Sequence, residues 1–207
     1  MAVVAMIAAA ASAHAQGGSG GIGSGGSGGS GDDATASGCA STEFGERILQ
    51  LGDCGEDVKT LNWILKSKTF ADGVSLAANF TDPTDSSVRK FEQLKDLSVD
   101  GVVDRRTRKA LVRTMPKQKA TWYGPGFFGN STACGKTLKR STVGVAHKRL
   151  PCGTKVVVRY KGSYVRTKVI DRGPYAYGAK WDLTQKTART LGFEVTDKVR
   201  VAKIKKR

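Results

Sequence analysis

The stretch "VRTKVIDRGPYAYGAKWDLTQKTARTLGF", Val165 to Phe193, decides how the chain is read. It begins as a strand. The β-branched run from Val165 to Ile170 delivers Asp171 at its end, and Arg172-Gly173-Pro174 then turns the chain. It closes as a helix, with Thr184 placed to cap, Ala188 and Leu191 on one face, and Gly192 to end it. Between the two lies a second aspartate, Asp182. An acid just ahead of a helix is stabilised by the helix dipole in any case, so the residues alone leave Asp182 open between a structural cap and a working carboxyl. Asp171 is open in the same way, between a turn-capping or Arg172-paired residue and a functional group on a strand-end loop.

The charge around these aspartates sharpens the question. From residue 120 to residue 207 there are 20 Lys and Arg but only four acids, Asp171, Asp182, Glu194 and Asp197. Residues 32–119 carry 14 of each sign, so the second half accounts for the whole formal charge of +16. Such a field attracts polyanions. Nucleic acid is the first partner that charge suggests, but charge is all that supports it, and the paired aspartates oppose it. Anionic wall polymers or acidic lipid are the alternatives for an exported chain.

Export is read from the N-terminus. Ala2 to Ala13 is an apolar run too short to span a bilayer, and Ala13-His14-Ala15 follows it as a cleavage site, giving a signal peptide over residues 1–15. No later apolar run is long enough to be a transmembrane segment. Gly17 to Gly31 is nearly pure Gly and Ser, a tether that buries nothing. Four cysteines suit an oxidising compartment. They allow three pairings, and proximity favours Cys39 with Cys54 and Cys134 with Cys152. With no CxxC pair, and with His147 the one histidine left after processing, no metal site is expected.

The first half reads as helical. Val58, Leu61, Ile64 and Leu65 fall at helix spacing after Asp57. A second helix is expected from Asp85 to about Leu94, with Val88, Phe91 and Leu94 inward, and a third from about Asp104, with Leu111 buried. "LGDCGEDVKTLNWIL" and "FTDPTDSSVRKFEQLKDLSVDGVVDRRTRKAL" resemble the three-helix peptidoglycan-binding domain of many wall enzymes. Two positions depart from that family's pattern: Glu92 stands where Gln is usual, and Asp104 where Gly is expected.

The second half reads as strands: "ATWYG", "KVVVRY", "YVRTKVI" and "KVRVAKI", punctuated by Gly and Pro. "ATWYGPGFFGNSTACGKTL", "VGVAHKRLPCGTKVVVRY", "VIDRGPY" and "WDLTQKTARTLGF" resemble, in order, the double-psi β-barrel of rare lipoprotein A, a barrel shared with expansins and barwin-like proteins. The chain is thus expected to be α+β with two domains. A three-helix domain at 39–116 precedes a six-stranded double-psi barrel at 117–207, behind the signal peptide and a Gly/Ser-rich linker at 16–38.

That resemblance implies a secreted, wall-associated protein that binds peptidoglycan glycan strands. Its activity would be that of a lytic transglycosylase, which forms a 1,6-anhydro end, needs no cofactor and can work with few acids. Asp171 and Asp182 are the implied catalytic carboxyls, with the acid between them unassigned. Tyr123, His147, Arg172 and Tyr175 are expected substrate contacts. Trp122 and Tyr177 are further aromatics, with core placement expected for aromatics in so small a barrel. Lys136 also falls at the groove, where the family commonly has Glu, and that exchange favours the alternative of a non-catalytic expansin-like or barwin-like module. His147 is open between a sugar contact and a buried histidine that holds its loop.

Overall fold

Three helices come first in the computed structural model: α1 (Glu56–Lys66), α2 (Asp82–Gln93) and α3 (Arg105–Arg113). The structure describes residues 38–175 and 178–204. The expected signal peptide, nearly all of the Gly/Ser linker, Tyr177 and the last three residues of the basic tail lie outside the described residues.

Helix α1 turns Val58, Leu61, Ile64 and Leu65 fully inward, as its spacing requires. Helix α2 starts three residues earlier than expected because Pro83 sits in its first turn, where a missing N–H costs nothing. Val88 and Phe91 are buried, but Leu94 is 57% exposed: it is the C-cap, and the helix ends before its side chain can rotate onto the core.

Asp104 and Glu92 are both built into the fold. Asp104 caps α3 by accepting the Thr107 N–H at 2.8 Å. Glu92 is fully buried, and its carboxyl accepts from the Gly101 N–H at 2.9 Å and the Thr107 hydroxyl at 3.1 Å. Burial pushes its pKa up, against those bonds. At the start of the domain, burial also works against the ionised form of Asp57. Bonds from Arg47, Thr42 and the Val58 N–H outweigh it and hold that carboxyl below its ordinary range. The Cys39–Cys54 disulfide ties down the entry to α1.

Six strands follow: β1 (Lys117–Tyr123), β2 (Val145–Ala146), β3 (Lys155–Tyr160), β4 (Ser163–Asp171), β5 (Trp181–Thr184) and β6 (Asp197–Lys203). They close into a barrel in the order β1-β5-β2-β4-β3-β6. The β1/β5 and β2/β4 pairs are parallel and the other four antiparallel. A fourth helix, α4 (Gln185–Leu191), follows β5, with Thr184 as its N-cap and Gly192 left-handed at its end. The β3 run Val156-Val157-Val158 is buried on both faces. Val156 and Val158 enter the barrel core with Trp181, Leu183 and Phe193, whereas Val157, with Ala202 of β6, joins the core of the helices.

Helices and barrel therefore share one core. Tyr164 stacks edge-on against Phe44 at 5.4 Å. Arg200 donates to the Met115 carbonyl at 2.8 Å. Arg166 donates to the Glu56 carbonyl at 2.8 Å, and its guanidinium also bonds the Glu56 carboxylate and the Thr60 hydroxyl.

Candidate active site

The register of three strands sets the two aspartates side by side. Ala146 of β2 pairs with Asp171 of β4 on one side and with Asp182 of β5 on the other. Residues paired across a ladder point to the same face, and two strand spacings separate the outer Cα atoms by about 10 Å. On β5, Trp181 and Leu183 point into the barrel, so Asp182 points out of it. One strand further, Thr121 of β1 pairs with Asp182 and donates its hydroxyl to Oδ1 at 2.8 Å. Tyr123 lies two residues on and faces the same way. The row Thr121, Asp182, Ala146, Asp171 is a floor, and the methyl of Ala146 leaves room between the carboxyls.

Above this floor is a cleft of about 290 Å³, lined by both aspartates together with Tyr123, Phe127, Arg172 and Tyr175. The loop from Gly124 to Leu138 makes one wall. Glycine is required at 124, because a Cβ there would stand 2.8 Å from the Cβ of Gln185. The Cys134–Cys152 disulfide fastens the loop to the barrel. So held, the loop aims the Ala133 N–H at Asp171 Oδ1 at 2.8 Å, and the Arg172 N–H reaches the same oxygen at 2.8 Å.

The two carboxyls are therefore unlike. Asp171 is bound by two backbone donors. Asp182 is pushed up to about 6, chiefly by burial and further by the negative charge of Asp171, against the Thr121 hydrogen bond. The Tyr123 hydroxyl is buried and lies against Asp171. Burial, then the charges of Asp171 and Asp182, drive its pKa far up, so it remains a neutral phenol.

Of the expected contacts, Tyr123, Arg172 and Tyr175 line the cleft, and Tyr175 is 79% exposed at its rim. His147 and Lys136 are not among the lining residues. His147 is buried: its ring packs on Trp181 at 4.6 Å, and Nδ1 accepts the Arg149 and Leu150 N–H groups at 3.1 Å each. Burial, then Lys180, Lys203 and Arg172, lower its pKa, which keeps Nδ1 free to accept. Its backbone N–H donates to the Asp171 carbonyl at 3.1 Å, so it holds the strand that presents the carboxyl. Lys136 is exposed, and it is not among the charges that move Asp182. Trp122 is 37% exposed, outside the cleft, with its indole N–H on the Glu194 carbonyl at 3.0 Å.

The residues not anticipated from sequence are Thr121, Phe127 and the Ala133 N–H. Alternation along β1 places Thr121 with Tyr123 and was available as a signal; a loop's N–H direction was not. Among the described residues, no group of His, Cys, Asp and Glu is arranged to hold a metal.

Residues 116–204 match the family model described as "Lytic transglycolase", and residues 54–111 the model described as "Putative peptidoglycan binding domain". Over 75 residues, 35% of this chain, there is 41% identity to the "Probable endolytic peptidoglycan transglycosylase RlpA" of Synechocystis, of which 23% is covered. Over 84 residues, 40% of this chain, there is 38% identity to the endolytic peptidoglycan transglycosylase RlpA of Pseudomonas aeruginosa, of which 25% is covered. The chain thus spans about a quarter of the length of these relatives. Among solved structures, the apo expansin of Clavibacter michiganensis is 23% identical over 45% of this chain and 52% of its own, with a TM-score of 0.37. The SleB N-terminal domain is 32% identical over 34% of this chain and 96% of its own, with a TM-score of 0.33. The barrel of this chain is therefore similar, over residues 116–204, to the lytic transglycolase family, and the helical segment ahead of it, over residues 54–111, to the putative peptidoglycan binding domain.

Proposed function

We propose that the protein is a secreted lytic transglycosylase of peptidoglycan, with Asp182 as its general acid. The observation that carries this reading is the unlike pair in one cleft: a half-buried carboxyl pushed up to about 6, beside a second carboxylate bound by two N–H groups. A general acid must be protonated near working pH and must sit where water is scarce. Asp182 donates its proton to the glycosidic oxygen as the C1–O bond breaks. The 6-hydroxyl of the same sugar then attacks C1, and its proton returns to the Asp182 carboxylate. No water is consumed, and a 1,6-anhydro ring is left. Asp171, close to the same centre, stabilises positive charge developing at C1.

Supporting this are the family match of the barrel and that of the helical domain, which holds the wall while the barrel acts. The six-stranded closed barrel with its two parallel pairs supports the double-psi assignment. Two disulfides and the Ala-rich N-terminus support export to the wall. Peptide-stripped glycan strands incubated with the protein should yield 1,6-anhydro ends by mass spectrometry. Unchanged strands, with the protein folded, would end the enzymatic reading. The alternative of a non-catalytic expansin-like module rests on Lys136, expected from the sequence resemblance to replace a groove carboxylate; Lys136 is exposed and is not among the residues lining the cleft.

A further inference from the structure

Five cations gather on one side of the helical domain, and of them only Arg106 also borders a hollow that holds carboxylates. A pocket of about 690 Å³ is lined by Lys95, Arg106, Lys109 and Arg113 around Leu97 and Ala110. Lys68 stands behind it, its ammonium 3.5 Å from the carbonyl of Thr114. The ion pairs of Arg47 with Asp53 and Asp57, of Lys59 and Arg166 with Glu56, and of Arg89 with Asp85 use none of the pocket's cations. Residues 32–119 are balanced in charge, but folding has sorted the charges. Asp53, Glu56, Asp57 and Asp85 are ion-paired, and Asp96, Asp100 and Asp104 collect in a neighbouring hollow bordered by Arg106.

Helix dipoles explain part of this arrangement. Arg113 is in the last turn of α3, where a cation is favoured. Arg106 is in the first turn, where it is disfavoured, and that turn holds no acid. Lys95 directly follows the C-cap of α2 and Lys68 that of α1, where a cation is also favoured, whereas Lys109 serves no helix end. Arg106, Lys109 and Arg113 fall three and four residues apart on one face of α3, a row about 10 Å long. The half-buried Lys68 has its pKa lowered by burial and by Lys95, so the cluster repels itself when empty.

We infer that this pocket binds an acidic peptide with small apolar side chains, of the kind that peptide stems present along a glycan strand. The apolar floor of Leu97, Ala110 and the alkyl stems of the lysines takes methyl-sized side chains, and the cationic rim takes two or three carboxylates. A bare phosphate polymer would have no use for that floor. This inference rests on the peptidoglycan reading of the protein. It divides the work: the helical domain holds peptide-bearing wall, and the barrel acts on the glycan.

The test uses the full chain and a synthetic pentapeptide of Ala, Glu and Ala residues with free carboxylates, followed by calorimetry. Arg106→Ala with Lys109→Ala should weaken binding about tenfold or more, since each removes a charge-assisted hydrogen bond. Amidating the peptide's carboxylates should weaken it as much. Removing three barrel cations instead, with Lys186→Ala, Arg189→Ala and Lys198→Ala, should leave it within about twofold to threefold, because charge at a distance is screened. Equal losses from both sets, or tighter binding of inorganic polyphosphate than of the peptide through Arg106 and Lys109, would overturn the inference. Sacculi separate this failure from that of the underlying reading. Wild type should be retained on intact sacculi, and less on sacculi freed of stems by an amidase. Retention on both alike, and by the variant alike, sinks the peptide pocket only. No retention on either sinks the peptidoglycan reading.

Discussion

Asp182 carries two opposed consequences at the scale of one residue. Its folded pKa of about 6 lies above the ordinary carboxylate value, so the acid form is present below about pH 6 and is lost above it. Cleavage of glycan strands should therefore fall through pH 6, approaching tenfold per unit on the alkaline side. The same shift means that the stability Asp182 contributes as a neutral group is full below the unfolded pKa and is lost as pH rises through the folded one. Asp182→Asn should remove cleavage by at least about a hundredfold. It should also raise stability at pH 7 by on the order of 1–3 kcal/mol, read by denaturant titration. A variant that loses activity and stability together would mean that the carboxylate is structural. The aspartates were legible as a pair in the sequence, from their rarity and their place around a Gly-Pro turn. Which one holds the proton was not, because burial decides it. That burial comes from Tyr123 and the 124–138 loop, whose approach no local pattern announces. His147 shows the reverse: its motif suggests a sugar contact, and its surroundings use it to hold a loop.

At the scale of elements, the longer strands and all four helices could be read from spacing, and the two pieces that build the site could not. β2 is two residues long, too short for any alternation to show. β5 is four residues whose Trp-Asp-Leu-Thr sequence runs straight into a helix, so Asp182 passes for the approach to a cap. What positions β2 is Gly144. A Cβ there would stand 2.3 Å from Ile170 Cδ1, and its N–H meets the hydroxyls of Thr184 at 3.2 Å and Thr187 at 3.0 Å. Gly144→Ala should cost about 1–3 kcal/mol by overpacking, and it should lower activity further by displacing Ala146 from between the carboxyls. The loop opposite depends on a covalent tie. Replacing Cys134 and Cys152 by Ser should cost about 3 kcal/mol on chain-entropy grounds. Activity at a temperature where the variant is still folded should fall as well, because the Ala133 N–H is no longer aimed at Asp171. Full activity in the folded double variant would show that the loop holds its place without the disulfide.

For the whole molecule, two family matches suggest two independent domains, and the core says otherwise. Val157 and Ala202 are barrel residues buried among helix side chains, and Arg166 and Arg200 of the barrel satisfy carbonyls of the helical segment. A barrel cut free at residue 116 would expose the apolar face of β3 along with Tyr164. The helical fragment would lose the cover of its core. The full chain should therefore melt in one transition by scanning calorimetry, with van't Hoff and calorimetric enthalpies equal. Val157→Ala, which deletes buried methyls at the shared core, should move that single transition down as a unit. Two resolved transitions, with only the barrel's displaced, would mean that the contact is incidental. A single unit also has a mechanical consequence. The helical surface and the cleft between Asp171 and Asp182 belong to one packed unit, so under the proposed function a wall strand held by the first would be offered to the second at one reach, and where the helices hold would set where the barrel cuts.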